Sequence, residues 1–211
     1  MREIFPWRCG VRTLLITCVA LLAGVSTIAA QGMAQQFFEA GQYDEALQAI
    51  AQMRERGEAG PPEAFLAGQI LVRQNRTPEA EKEFASLEMS DGPVWMLVGE
   101  SAVALLQNDN AKALDTATRA VAAAPGDFYA QYELGLAKVR VDDWAGGAEA
   151  FARAAEINPT FAYAHYYAGL SYSRIRRADR TAEYMDRFLK LAPRAPEKPG
   201  VDSLMRTLRG R

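Results

Sequence analysis

The sequence predicts an all-α protein built as a solenoid of stacked helix pairs, and three observations lead to this fold class. Alanine is abundant and β-branched residues are sparse, which favours helices over strands. Prolines recur at intervals of 34 residues, at Pro125, Pro159 and Pro193. Aromatic residues recur at the same interval, at Trp95, Tyr129 and Tyr163. Repetition at a fixed period of this length is typical of chains in which one helical unit stacks on the next.

Each unit repeats a pattern of apolar, small and aromatic positions. In the clearest unit the pattern falls on Leu134, Gly135, Trp144, Phe151, Ala154 and Pro159. In the next unit it falls on Ala168, Gly169, Tyr172, Met185 and Pro193. With these residues the sequence resembles the tetratricopeptide repeat family over about residues 31–193. The resemblance implies a right-handed α-solenoid of about five antiparallel helix pairs.

The residue types at the repeated positions also make physical sense. Small residues such as Gly135 and Gly169 allow the first helix of a unit to approach its partner closely, and aromatic residues such as Phe84 and Phe151 fill the gap between units. A proline after the second helix ends that helix. In the segment NRTPEAE, Thr77 is predicted to cap a helix whose first residue is proline.

The pattern predicts ten helices in the repeat region and one after it. The ten are expected at about 31–40, 44–56, 62–74, 78–88, 94–107, 111–123, 127–140, 144–157, 161–175 and 179–191. Residues 194–211 begin as a proline-rich linker and continue with apolar residues at helical spacing, namely Val201, Leu204, Met205 and Leu208. We expect this short helix to cap the last unit, because a solenoid needs its terminal unit covered.

The N-terminal 30 residues differ from the rest of the chain. Three arginines precede an uncharged run from Thr13 to Ala30 that ends in small residues. This arrangement predicts a signal peptide, and the alternative is an uncleaved membrane anchor formed by residues 13–30. The protein is therefore expected to be exported from a bacterial cell, periplasmic or secreted if cleaved, and otherwise held in the inner membrane facing outward.

Cysteines and charge narrow the possible functions. Cys9 and Cys18 both lie in the N-terminal segment, so the predicted mature chain forms no disulfide and has no thiolate site. Residues 31–159 carry 10 basic and 20 acidic side chains, whereas residues 160–211 carry 11 basic and 5 acidic ones. The acidic surplus of the larger part argues against binding of nucleic acid.

No residue pattern predicts catalysis, and none predicts a metal or a cofactor. His165 is the single histidine, and its place in the repeat is that of a large core residue, so it is interpreted as a packing residue. Neighbouring carboxylates such as Asp142 and Asp143 do not face each other on a helix and are interpreted as solvated. The phosphate-binding loops of nucleotide enzymes are absent from the sequence.

The resemblance places the first helix of each unit on the concave face, where a partner binds. Its inward positions hold mainly aromatic and aliphatic residues, predicted to form a groove for a peptide or a partner's helix: Phe65, Trp95, Val98, Tyr129, Tyr132, Leu136, Tyr163, Tyr166 and Leu170. Rings that carry hydroxyl groups suit a peptide with apolar side chains. Two alternatives remain open: tighter packing between neighbouring helices, and occlusion by the C-terminal helix.

A basic patch at one turn offers a second surface, formed by Arg174, Arg176, Arg177 and Arg180. It is either a solvated turn or a contact for an anionic lipid or an acidic partner. The sequence thus predicts a non-enzymatic interaction scaffold that serves envelope or secretion-related assembly. The alternatives are a membrane-tethered form that uses the basic surface and, with less support, an envelope enzyme that uses carboxylates.

Overall fold

The computed structural model describes residues 32–90 and 92–210, which fold into eleven α-helices and one 3₁₀ turn, with no strand within these ranges. The helices are α1 (32–39), α2 (Tyr43–Glu55), α3 (Pro61–Arg73), α4 (Thr77–Ser86), α5 (Pro93–Leu106), α6 (Asn110–Ala123), α7 (Phe128–Arg140), α8 (Trp144–Ile157), α9 (Ala162–Arg174), α10 (Ala178–Leu191) and α11 (Lys198–Arg209). The predicted all-α solenoid is confirmed. The predicted signal peptide or anchor lies outside the described residues.

Helices pack in chain order, as expected for a solenoid. From α2 to α11 each helix contacts the next, and α5 also contacts α7, the corresponding helix of the following unit. Within a pair, an aromatic side chain of the second helix packs directly on a glycine of the first helix. A Cβ atom added to Gly68 would overlap the ring of Phe84, and one added to Gly135 would lie 2.7 Å from the ring of Phe151. The predicted role of small residues as points of close approach is confirmed.

The turns inside the helix pairs share a backbone feature. Asn75, Asn108, Asp142 and Arg176 each have a φ near +60° and stand two residues before their second helices. Asp109 and Asp143 cap α6 and α8 by accepting hydrogen bonds from backbone N–H groups of those helices. The predicted cap at Thr77 is wrong, because α4 begins at Thr77 itself and Arg76 occupies the cap position without a side-chain hydrogen bond.

The solenoid curves so tightly that its first unit contacts its last. The ring of Phe38 in α1 lies 4.9 Å from the ring of Tyr163 in α9, measured between centroids. The Glu39 carboxylate accepts a 3.0 Å hydrogen bond from the backbone N–H of Ala162, at the start of α9. In the turn between α1 and α2, a Cβ atom added to Gly41 would lie 2.6 Å from Pro196 of the C-terminal linker. The N-terminal unit, α9 and the C-terminal linker therefore close the structure together.

The C-terminal helix covers the last unit, as predicted. Val201 and Met205 are buried, Leu204 and Leu208 are half-buried, and α11 packs against α10. Within residues 32–90 and 92–210, no helix combines the length and the hydropathy needed to cross a membrane. The same ranges contain no cluster of side chains suited to hold a metal ion.

Candidate functional site

The N-terminal halves of the first helices are closed by their own aromatic side chains. The ring of Phe65 in α3 lies 5.1 Å from that of Tyr129 and 6.1 Å from that of Tyr132, both in α7. Trp95 lies 4.5 Å from Tyr129. The expectation that all predicted residues line an open groove is therefore wrong for four of them, which are buried in the core: Phe65, Val98, Tyr132 and Tyr163. The curvature brings the facing helices close enough for these side chains to pack against each other.

An ion pair ties the C-terminal end of α3 to α9 and to the C-terminal segment. The Arg73 guanidinium in α3 lies 2.5 Å from the Glu197 carboxylate and stacks 4.0 Å from the centroid of Tyr163. The Tyr163 hydroxyl donates a 2.9 Å hydrogen bond to Glu197. Burial raises the pKa of Tyr163 well above its usual range, so the hydroxyl keeps its proton. Three elements distant in sequence are thus tied together at the inner face.

The C-terminal halves of the same helices leave a cavity of about 340 Å³. Ten apolar residues line it: Val72, Phe84, Ala102, Leu105, Leu106, Leu136, Val139, Trp144, Phe151 and Leu170. Two of them, Leu136 and Leu170, belong to the predicted groove. Val72, whose side chain is 38% exposed, lies where the cavity meets solvent. A mostly apolar cavity of this size is typical of sites that receive a ligand.

Tyr166 lies beneath the C-terminal segment, and so does part of Leu170, which also lines the larger cavity. Both residues line a smaller cavity, together with Pro196, Val201 and Leu204. Tyr166 also packs against Phe188 of α10, at 5.1 Å between ring centroids. The C-terminal segment therefore covers Tyr166 in part, which agrees with the second open alternative for this residue.

Glu133 is the one carboxylate in the wall of the larger cavity within the described part of the chain. It is fully buried on α7, between the core residue Tyr132 and the small residue Gly135. Burial raises its pKa to about 8, so the carboxyl group is largely protonated at neutral pH. Its Oε1 atom has no hydrogen-bond partner among the described residues. The sequence reasoning missed this residue, although a charged side chain flanked by core positions of a helix was a visible signal.

His165 is buried at the predicted packing position, and its role is structural. Its Nε2 atom lies 3.0 Å from the carbonyl oxygen of Pro159. One repeat earlier, the Gln131 side chain donates a 2.9 Å hydrogen bond to the carbonyl oxygen of Pro125. The two pairs are equivalent, since each joins the start of a first helix to the proline that ends the preceding unit. Burial lowers the pKa of His165, which favours the neutral ring.

The predicted basic patch is an exposed turn in which three of the four arginines have partners. The guanidinium of Arg174 stacks 5.0 Å from the centroid of Trp144. Arg177 pairs with Asp179, and Arg180 pairs with Glu183 at 3.0 Å. Arg176 is also exposed. These local pairs reduce the charge that the turn offers to an anionic surface, although binding by the patch stays a prediction.

Comparison with known proteins agrees with this architecture. The sequence profile described as "Tetratricopeptide repeat" matches residues 32–93 and 132–196. The chain belongs to the tetratricopeptide repeat family. No curated protein matches it in sequence.

Several solved structures resemble this tetratricopeptide repeat protein. TTC0263, a thermophilic protein of Thermus thermophilus, is 13% identical, with a TM-score of 0.59 over 88% of this chain and 100% of its own. MamA from Desulfovibrio magneticus RS-1 is 23% identical, with a TM-score of 0.45 over 78% and 94% of the two chains. YrrB, described as having an unusual peptide-binding site, is 20% identical, with a TM-score of 0.46 over 79% and 87%. The likeness to TTC0263 shows a shared fold.

Proposed function

We propose that this tetratricopeptide repeat protein is a non-enzymatic scaffold that binds a peptide or a helix of a partner protein. The observation that carries the proposal is the apolar cavity of about 340 Å³ between α3, α5, α7 and α9. Most of its wall belongs to the first helices, the face on which the sequence predicts partner binding, and the second helices add Phe84, Trp144 and Phe151. The aromatic half of that face is filled by the protein's own side chains, so the partner enters the open half.

The chemistry of the cavity favours a partner with apolar side chains. Leu105, Leu136, Val139 and Leu170 present aliphatic surface from three different helices. Apolar surface that is removed from water contributes roughly 25 cal/mol per Å², so a partner that covers this wall gains affinity mainly from burial. Hydrogen bonds then set the orientation of the bound segment.

A pair of matched substitutions tests this proposal. Val72 and Val141 have nearly equal exposure, 38% and 40%, but only Val72 lines the cavity. Peptides are selected from a displayed random library on the full-length chain, and their affinities are then measured for Val72→Arg and Val141→Arg. We expect Val72→Arg to weaken binding about tenfold or more, because a long charged side chain covers the entrance. Equal affinities for the two variants would contradict the proposal.

We also propose that the scaffold acts outside the cytoplasm, in envelope or secretion-related assembly. The support is the sequence of residues 1–30, with its basic start and its uncharged run from Thr13 to Ala30. Fractionation of cells combined with N-terminal sequencing tests this. We expect a mature chain that begins near residue 31 in the exported fraction, or an intact chain in the membrane fraction if the segment is an anchor. An intact chain recovered in the cytoplasm would overturn this proposal.

A further inference from the structure

The starting observation is a buried carboxyl group that the fold itself leaves incompletely bonded. Glu133 has no exposed surface, and its Oε1 atom lacks a hydrogen-bond partner among the described residues. Buried polar atoms are almost always hydrogen-bonded, and an unbonded one destabilises the folded protein. Because Glu133 is one of the residues that line the larger cavity, a ligand that enters there can supply the missing bond.

The neighbouring hydrogen bonds show which oxygen is occupied. The Ser101 hydroxyl lies 3.2 Å from the carbonyl oxygen of Ala113 and 3.4 Å from Oε2 of Glu133. A hydroxyl group donates one hydrogen bond and can also accept one. When Glu133 is protonated, it donates to the Ser101 hydroxyl, and Ser101 donates to the carbonyl oxygen of Ala113. In either protonation state Ser101 contacts Oε2, and Oε1 is left as the single open acceptor.

The surroundings favour a cation on an apolar stem. The cavity that Glu133 lines is otherwise mainly aliphatic, and residues 31–159, which supply most of its wall, carry twice as many acidic as basic side chains. Arg140 is the one cation in the wall within the described residues. Its guanidinium is held toward the turn after α5 by Asn108, at 2.5 Å. It therefore leaves Glu133 unpaired.

We infer that the cavity accepts a lysine side chain of the bound peptide, with its methylene stem on Leu136 and Leu170 and its ammonium group hydrogen-bonded to Glu133. This inference rests on the proposed function, since it names the chemistry of the partner that enters the same cavity. Lysine fits better than arginine because one open oxygen accepts from a compact ammonium group, whereas a guanidinium group prefers two parallel acceptors.

A fragment that mimics the lysine side chain tests the site without knowledge of the peptide. The probe is n-butylammonium chloride, titrated into the full-length chain while the methyl NMR signals of Leu136 and Leu170 are recorded. We expect saturable shifts in the unaltered protein and an affinity about tenfold or more lower in Glu133→Met, which has a similar volume but no hydrogen-bonding group. Glu149→Met, which removes an exposed carboxylate on α8, is the matched control and should bind as the unaltered protein does.

Two outcomes would overturn the inference. One is the absence of saturable shifts in the unaltered protein, and the other is equal affinity of Glu133→Met, provided that its circular dichroism shows an intact fold.

Selected peptides separate this inference from the proposed function. If binding depends on Val72 but is unchanged when a peptide's lysine is replaced by norleucine, the inference fails and the scaffold proposal stands. If butylammonium binds through Glu133 but the binding of the selected peptides does not depend on Val72, the proposed function fails. The assignment of a peptide lysine as the occupant then fails with it.

Discussion

At the scale of single residues, Arg176 is held in a backbone conformation that suits its side chain poorly. Its φ is 61°, and the corresponding turns have asparagine or aspartate at this position. The left-handed conformation costs most L-residues roughly 1–2 kcal/mol, and asparagine tolerates it better. We expect Arg176→Asn to raise the free energy of unfolding by about 1 kcal/mol, measured by urea denaturation. Arg194→Asn, an exposed turn residue without positive φ, is the control. A loss of stability in Arg176→Asn would contradict this account.

Glu133 makes the stability of the protein depend on pH. Its pKa is about 8 in the folded state and near 4.5 when exposed, so between these values the folded chain binds a proton that the unfolded chain has released. The free energy of unfolding should therefore fall as pH rises from about 5 to 8, by at most about 1.4 kcal/mol per pH unit for this group. Glu133→Gln should lack this component. If the free energy of unfolding changes by the same amount in both proteins over this pH range, burial does not raise the pKa of Glu133.

At the scale of helices, the N-terminus of α9 depends on a residue from the other end of the chain. Asp127 caps α7, but the equivalent position before α9 holds Phe161, which packs against Phe128 and Phe38. Glu39 of α1 replaces the missing cap by accepting the hydrogen bond of Ala162. We expect Glu39→Ala to lower the free energy of unfolding by about 1 kcal/mol, the usual cost of losing a cap. The control is Glu45→Ala on the exposed face of α2; equal effects would contradict the capping role.

The helices themselves could be predicted from the sequence because the repeat is local. The period of 34 residues and the positions of Gly135, Phe151 and Pro159 place each helix of the repeat region within about one or two residues of its observed ends, whereas the C-terminal helix begins three residues earlier than predicted, at Lys198. The closure of the aromatic half could not be predicted this way, since it depends on the curvature summed over five pairs. Even so, Phe161 stands at a cap position where the preceding unit has Asp127. This difference indicates that the surface is buried against another part of the molecule.

At the scale of the whole molecule, the inner face is divided into a closed half and an open half. Arg73 joins α3 to the C-terminal segment through Glu197, and both side chains are mostly buried. Removal of one partner from a buried pair typically costs about 3–5 kcal/mol, because the other charge is left without its counterpart. We expect Arg73→Met to lower the free energy of unfolding by about 3 kcal/mol in denaturant titrations.

A double-mutant cycle with Glu197→Gln separates the ion pair from the packing of the arginine stem. Coupling between the two substitutions of about 1 kcal/mol or more is expected for groups in direct contact. Additive effects would mean that the pair does not tie α3 to the C-terminal segment.

The division also explains why the candidate site differs from the one that the sequence predicts. Aromatic side chains such as Tyr132 and Tyr163 are large enough to meet across the curved inner face, so they stabilise the fold instead of facing a partner. The smaller aliphatic residues one to two turns further along each helix, such as Leu136, do not span the same distance and leave a cavity.

The central claim is that a partner binds in the open half of the inner face. A peptide selected by binding, labelled with a nitroxide, reports its position through broadening of nearby methyl NMR signals. We predict that the signals of Val72, Leu136 and Leu170 broaden, while that of the exposed Met89 stays sharp. Broadening of Met89 with the cavity signals unchanged would contradict the claim.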